Sequence, residues 1–148
     1  MPNLLVTLTT LLIGGYLIYR WVQHSGQATD DAFRDGVLRD AATWLTQHIP
    51  ASAETINRAL HNLIDHAQSS PLLDRVLRIE CTVHKTPDAA VCRRTVFVML
   101  EGGPGALTGQ ITRDVDWEEL PQTVRADFIQ RGSVEQIFVV LEKQRSFQ

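Results

Sequence analysis

The opening of the chain constrains it most. From Met1 to Tyr19 there is no charged side chain, and Leu4 to Tyr19 is apolar apart from three threonines. With Trp21 and Val22 the stretch reaches the roughly 20 residues that a helix needs to cross about 30 Å of hydrocarbon. In lipid a backbone without internal hydrogen bonds is too costly, so the form expected is a helix. The hydroxyls of Thr7, Thr9 and Thr10 are tolerable there, since each can bond a carbonyl one turn earlier. Tyr16, Tyr19 and Trp21 gather at one end, where amphipathic rings favour the headgroup layer. Arg20 stands among them with a stem long enough to place its charge in that layer. A cleaved signal peptide would begin with basic residues and end in small ones; here Pro2-Asn3 leads and Arg20-Trp21 follows. A core helix of a soluble protein is the other competitor. The stretch 1–23 is expected to be a single-pass transmembrane anchor, with Tyr16, Tyr19, Arg20 and Trp21 at the membrane interface. Arg20, Arg34 and Arg39 follow it and nothing basic but the α-amino group precedes it. The positive-inside tendency therefore puts the C-terminal domain on the cytoplasmic side of an inner membrane.

The rest reads as α+β. Residues 24–28 form a short polar linker, 29–143 one domain, and 144–148 a polar tail. A chain of 148 residues leaves room for one core. Thr29-Asp30-Asp31 looks like a helix start, and Phe33, Val37, Ala41, Trp44 and Leu45 recur at helical spacing up to Pro50. Gly36 weakens that helix. A second helix is expected after Ser52, with Ile56, Leu60, Leu63, Ile64 and Ala67 as its stripe. The period then changes to two: Leu77, Ile79, Cys81 and Val83 alternate with Arg78, Glu80, Thr82 and His84, a strand with one wet face. A turn at Thr86–Ala89 leads to the more continuous Thr95–Leu100, expected at the centre of the sheet. Gly102–Gly105 opens a wide loop before a weaker strand, Leu107–Val115. Trp117, Leu120, Val124 and Phe128 mark a helix face, with Pro121 opening the helix and Gly132 closing it. Val134–Leu141 is the last strand. The expected architecture is an anchor, a helix pair and a mainly antiparallel sheet of about four strands (β-β-β-α-β), with helices on one face.

Motif chemistry is sparse. The net charge of −3 gives no general surface for nucleic-acid phosphates, and the basic residues are twelve arginines and only two lysines. Cys81 and Cys92 flank the first hairpin: free buried thiols are expected, with a disulfide open if the loop shifts. His61 and Asp65 sit four apart on a helix, but no set of three or four metal ligands has recognisable spacing. The glycines of residues 102–109 fit neither a P-loop nor G-x-G-x-x-G. Asp30-Asp31 and Glu118-Glu119 stand at helix starts, where they complement the dipole. The one basic candidate is Arg78, Arg93, Arg94 and Arg113, which on neighbouring strands can form a patch for a partner or a lipid headgroup. No cofactor, metal ligand or catalytic set is expected.

These features point to a non-enzymatic, single-pass, membrane-anchored accessory or scaffold subunit of a bacterial-type envelope complex. Its partners would be the lipid bilayer and a membrane protein or further copies of itself, not nucleic acid. Two other readings compete. One is a tethered ligand-sensing domain with its pocket between helices and sheet. The other is a hydrolase or transferase built around His61, Asp65 or Cys81.

Overall fold

The computed structural model describes residues 16–18, 27–88 and 90–143. A short strand, β1 (Tyr16–Ile18), is followed by helices α1 (Gln27–Leu45) and α2 (Ala53–His66). Three long strands come next: β2 (Val76–Lys85), β3 (Val91–Gly102) and β4 (Gly105–Asp116). Helix α3 (Gln122–Arg131) and strand β5 (Glu135–Lys143) complete the order. Four long antiparallel strands lie in the order β5-β2-β3-β4, with β1 added beyond β5. The expected α+β class and antiparallel sheet are therefore present, and the apolar run Thr95–Leu100 lies in an inner strand.

Local chemistry accounts for the boundaries. Ser52 caps α2 by accepting the Thr55 N–H at 3.1 Å. At its other end Ala67 is left-handed (φ 54°) and its N–H bonds Leu63 O, the αL cap motif. Ala67 is thus an exposed cap, not a member of the apolar stripe, whereas Ile56, Leu60, Leu63 and Ile64 are buried as expected. Helix α1 begins at Gln27, so Thr29 lies inside it and the expected linker loses Gln27 and Ala28. Asp116 and Glu119 close a capping box over the short turn Trp117–Glu119. Pro121 then opens α3 and Gly132 (φ 64°) ends it, both as expected.

Two hairpins depart from the expected spacing. The β2–β3 turn spans Thr86 to Ala90 and pairs Lys85 with Cys92, so Cys81 faces Val96. Thr86 sets the longer loop, its hydroxyl lying 2.6 Å from the Val91 carbonyl oxygen. The Gly102–Gly105 segment is a tight two-residue turn and not a wide loop, because Gly103 takes the positive φ (63°) that such a turn requires at its first central position. A register shift between Val76 and Arg78 brings Val76 inward in place of Leu77.

Alternation along the strands divides the sheet. One face buries Ile79, Cys81, Val83, Cys92, Val96, Val98 and Leu100. Helix α1 lies across this face at β3 and β4, and a second buried strip of α1 (Leu38, Ala42, Leu45), with Ile49 just beyond its end, completes the same core. At the other end α3 contributes Val124 and Phe128, and its Val124 carbonyl accepts from Gln136 Nε2 at 2.8 Å. Each fully buried Leu, Ile or Phe contributes about 1.5–3 kcal/mol of transfer free energy, so this layer carries most of the stability.

The expected anchor meets the described residues only at β1. There Tyr16, Leu17 and Ile18 pair with Lys143, Glu142 and Leu141, extended and not helical. The reason is local: the outer edge of β5 offers backbone groups that an added strand satisfies, and β-branched and aromatic residues suit that role. Residues 1–15 and 19–26, with Tyr19, Arg20 and Trp21, and the tail 144–148 lie outside the described residues. Among the described residues no helix is long and apolar enough to cross a membrane.

Candidate functional site: the open face of the sheet

The second face of the sheet has no helix over it among the described residues. Register fixes its pattern. One row runs Ile137–Thr82–Thr95–Thr112 from β5 to β4, and the next runs Val139–Glu80–Phe97–Gln110. The Thr95 and Thr112 hydroxyls lie 3.0 Å apart and share a hydrogen bond. Both ends of the face are charged and internally paired. Arg78 bonds Glu80 at 2.9 Å and also meets Glu142. At the other end His84 faces Glu135 at 3.8 Å and Arg93 faces Asp114 at 3.9 Å. Pairs as exposed as these contribute at most about 1 kcal/mol each. Between them stand apolar side chains that a strand would normally bury: Ile137 is 58% exposed and Phe97 38%. A shallow depression of about 200 Å³ beside Phe97 is lined by Arg78, Glu80, Met99 and Thr108.

The four arginines expected to form one patch do not meet. Arg93 and Arg94 are adjacent on a strand and so point to opposite faces. Arg78 and Arg93 belong to the open face. Arg94 and Arg113 are cross-strand partners on the covered side. There Asp40 of α1 takes both: Arg94 Nη2 donates to its Oδ2 and Arg113 Nε to its Oδ1, each at 2.8 Å. Asp40 and Arg94 are buried, at 4% and 7% exposure. Phe33 lays its ring 5.5 Å from the Arg94 guanidinium carbon, and Gly36 makes room for it, since a Cβ there would come within 2.9 Å of Arg94 Nη1. The glycine that weakens α1 is therefore a seat for this guanidinium. A second seat is Gly109 on β4, where the Trp44 indole occupies the space of the missing Cβ. This cluster rivets α1 to β3 and β4.

The thiols are inert. Cys81 and Cys92 are both free and buried. Cys92 faces Lys85, four residues along β2 from Cys81, so their Cα atoms are separated by about 13 Å along the sheet. A disulfide needs less than about 7 Å, which removes that alternative. Burial pushes the Cys81 thiol up to about 12, against a smaller opposing pull from Arg94. Burial also raises the Cys92 thiol. Neither is a thiolate at neutral pH, so neither is a nucleophile.

His61 and Asp65 do come together, Nδ1 lying 3.6 Å from Oδ2. Asp35 of α1 approaches His61 Nε2 at 3.5 Å, and Arg34 holds Asp65 at 2.9 Å. The group joins α1 to α2. Cys81 is fully buried on the covered face of the sheet, whereas His61 and Asp65 are part-exposed where α1 meets α2. Among the described residues no cluster of three or more His, Cys, Asp or Glu could hold a metal. The nucleotide-like glycines are absorbed by a hairpin and leave no helix N-terminus for an anion. No family model, curated protein or solved structure matches this chain.

Proposed function

We propose that this protein is a membrane-tethered, non-enzymatic accessory or scaffold subunit of a bacterial-type envelope complex, acting by protein–protein contact through the open face of its sheet. The observation that carries the reading is that face: a stable core lies on one side of the sheet, while Phe97 and Ile137 stand uncovered on the other. Apolar residues presented together and rimmed by paired charges are what an interface core needs. The tether rests on the uncharged stretch Met1–Tyr19. It would hold the domain close to a membrane partner and raise its effective concentration there. A ligand-sensing role draws on a depression of about 200 Å³, below the roughly 300–1,000 Å³ of small-molecule sites. The layer between α1 and the sheet, its other candidate pocket, is filled by fully buried side chains such as Val37, Ala41 and Val96.

Membrane fractionation of the full chain tests the tether. Retention after alkaline carbonate washing is expected, and release into buffer without detergent would end that half of the reading. Tyr16–Ile18 cannot be strand β1 and part of a span at once. A Leu17→Cys/Glu142→Cys disulfide, formed across a paired position, should therefore keep the chain off vesicles until it is reduced. A reporter fused after Gln148 should be active in the cytoplasm.

A further inference from the structure

The open face carries features that narrow its partner. Its charges are mainly acidic: Arg78 and Arg93 stand against Glu80, Asp114, Glu135 and Glu142, with which they and His84 pair, and against Glu101. Such a surface has no positive field to draw an anionic lipid or a nucleic acid. Its relief is self-complementary. Ile137 stands exposed on β5, at one flank, while the depression lined by Arg78, Glu80, Phe97, Met99 and Thr108 lies across β2, β3 and β4. A two-fold axis lying between two such faces brings each projection to the other copy's depression, the arrangement in which residue i meets j and j meets i. The area also suffices. Four strands about 4.8 Å apart and about nine residues long present roughly 600 Å² of projected surface per copy. Two copies together reach roughly 1,200 Å², where specific interfaces begin.

We propose that the occupant of the open face is a second copy of this chain, packed sheet against sheet, with Ile137 of each copy seated in the depression lined by Phe97, Met99 and Thr108 of the other. This rests on the reading of the open face as a contact surface. Helices α1 to α3 then lie on the outside of a two-sheet core, with the sheets about 10 Å apart. Each face is net acidic, so added salt tightens the association by screening the repulsion.

The test uses the full chain in mild detergent. In the double variant Ile137→Cys/Thr108→Cys the new thiols sit three strand spacings apart, about 14 Å, and cannot bond within one chain. Mild oxidation should give a covalent dimer on a non-reducing gel, and neither single variant should. Native Cys81 and Cys92 are buried and do not interfere. In sedimentation, Phe97→Glu and Ile137→Glu, both at exposed positions, should each raise the dimer Kd at least tenfold, with an unchanged thermal midpoint at loadings where the wild type is monomeric. A wild-type chain that is monomeric at every loading concentration overturns the proposal. So does a dimer that survives both glutamates, or one that a proline on the free edge of β4 (Gln110→Pro) alone disrupts. A monomer that stays in membranes and binds another protein through Phe97 overturns the self-pairing and spares the tether. A dimer washed off membranes by buffer overturns the tether and spares the self-pairing.

Discussion

Both faces of the sheet carry an arginine held by carboxylates, and the two ion clusters answer to different physics. On the open face Arg78, at 33% side-chain exposure, meets Glu80 and Glu142 in water. On the covered face Arg94, at 8%, meets Asp40 under α1. The pairing chemistry is the same. In water the solvent replaces a lost partner, so the pair adds little. Under the helix nothing replaces it, so removing one partner strands a charge in a medium that cannot solvate it. The comparison teaches that burial, more than pairing, decides what an ion pair does for a fold. A covered cluster fixes where a helix sits, and an open one leaves a surface available.

The largest expected effect breaks the covered cluster. Asp40→Asn keeps the shape and removes the charge that compensates Arg94, so it should cost roughly 3–5 kcal/mol. Arg78→Ala on the open face should cost less than about 1 kcal/mol. Urea unfolding of the two variants measures the contrast directly, and equal losses would refute it. Next comes alkaline pH. The folded state keeps the Cys81 proton above the ordinary value of 9.0, to about 12. A raised thiol contributes stability that is complete below 9.0 and is lost as pH climbs through that window. The full span corresponds to about 4 kcal/mol. The wild type should therefore lose stability more steeply above pH 9.0 than Cys81→Ala does, and parallel curves would rule out the buried thiol as the cause. The smallest pair compares a filled seat with a free surface. Gly109→Ala pushes a Cβ into the Trp44 indole and should cost roughly 1–3 kcal/mol. Thr95→Ala on the open face should stay within about 0.5 kcal/mol. Thermal melts of both variants read the difference.

Much of this was legible in the residues. The period-two runs located the strands, Ser52 and Pro121 the helix starts, and Gly132 a helix end, because each acts through neighbours in sequence. What escaped depends on partners distant in the chain. Gly36 and Gly109 read locally as weak points, yet each is shaped by a side chain from another element, Arg94 in one case and Trp44 in the other. Asp40 carried a signal that went unused. It stands on the sheet-facing strip with Val37, Ala41 and Trp44, where an acid needs a buried cation. Strand parity alone separates Arg93 from Arg94, which is why the expected basic patch divides between two faces. The β2–β3 register depended on a loop whose length Thr86 sets through a hydrogen bond that spacing does not reveal. For the candidate site, the alternation showed a wet face with Arg78 and Glu80. It did not show that Ile137 shares that face, because the pairing of β5 with β2 spans most of the domain.

That pairing has a consequence for the growing chain. Strands β2, β3 and β4 follow one another directly and can zip up as soon as residue 116 clears the ribosome, since their contacts close short loops. Strand β5 arrives only after α3 and must travel to the opposite side of the meander to lie beside β2. Until then one margin of β2 is bare and the inward side chains of β5 are missing from the core. Translation that stops before residue 135 would leave a three-stranded fragment with an open seam, ready to accept the wrong strand.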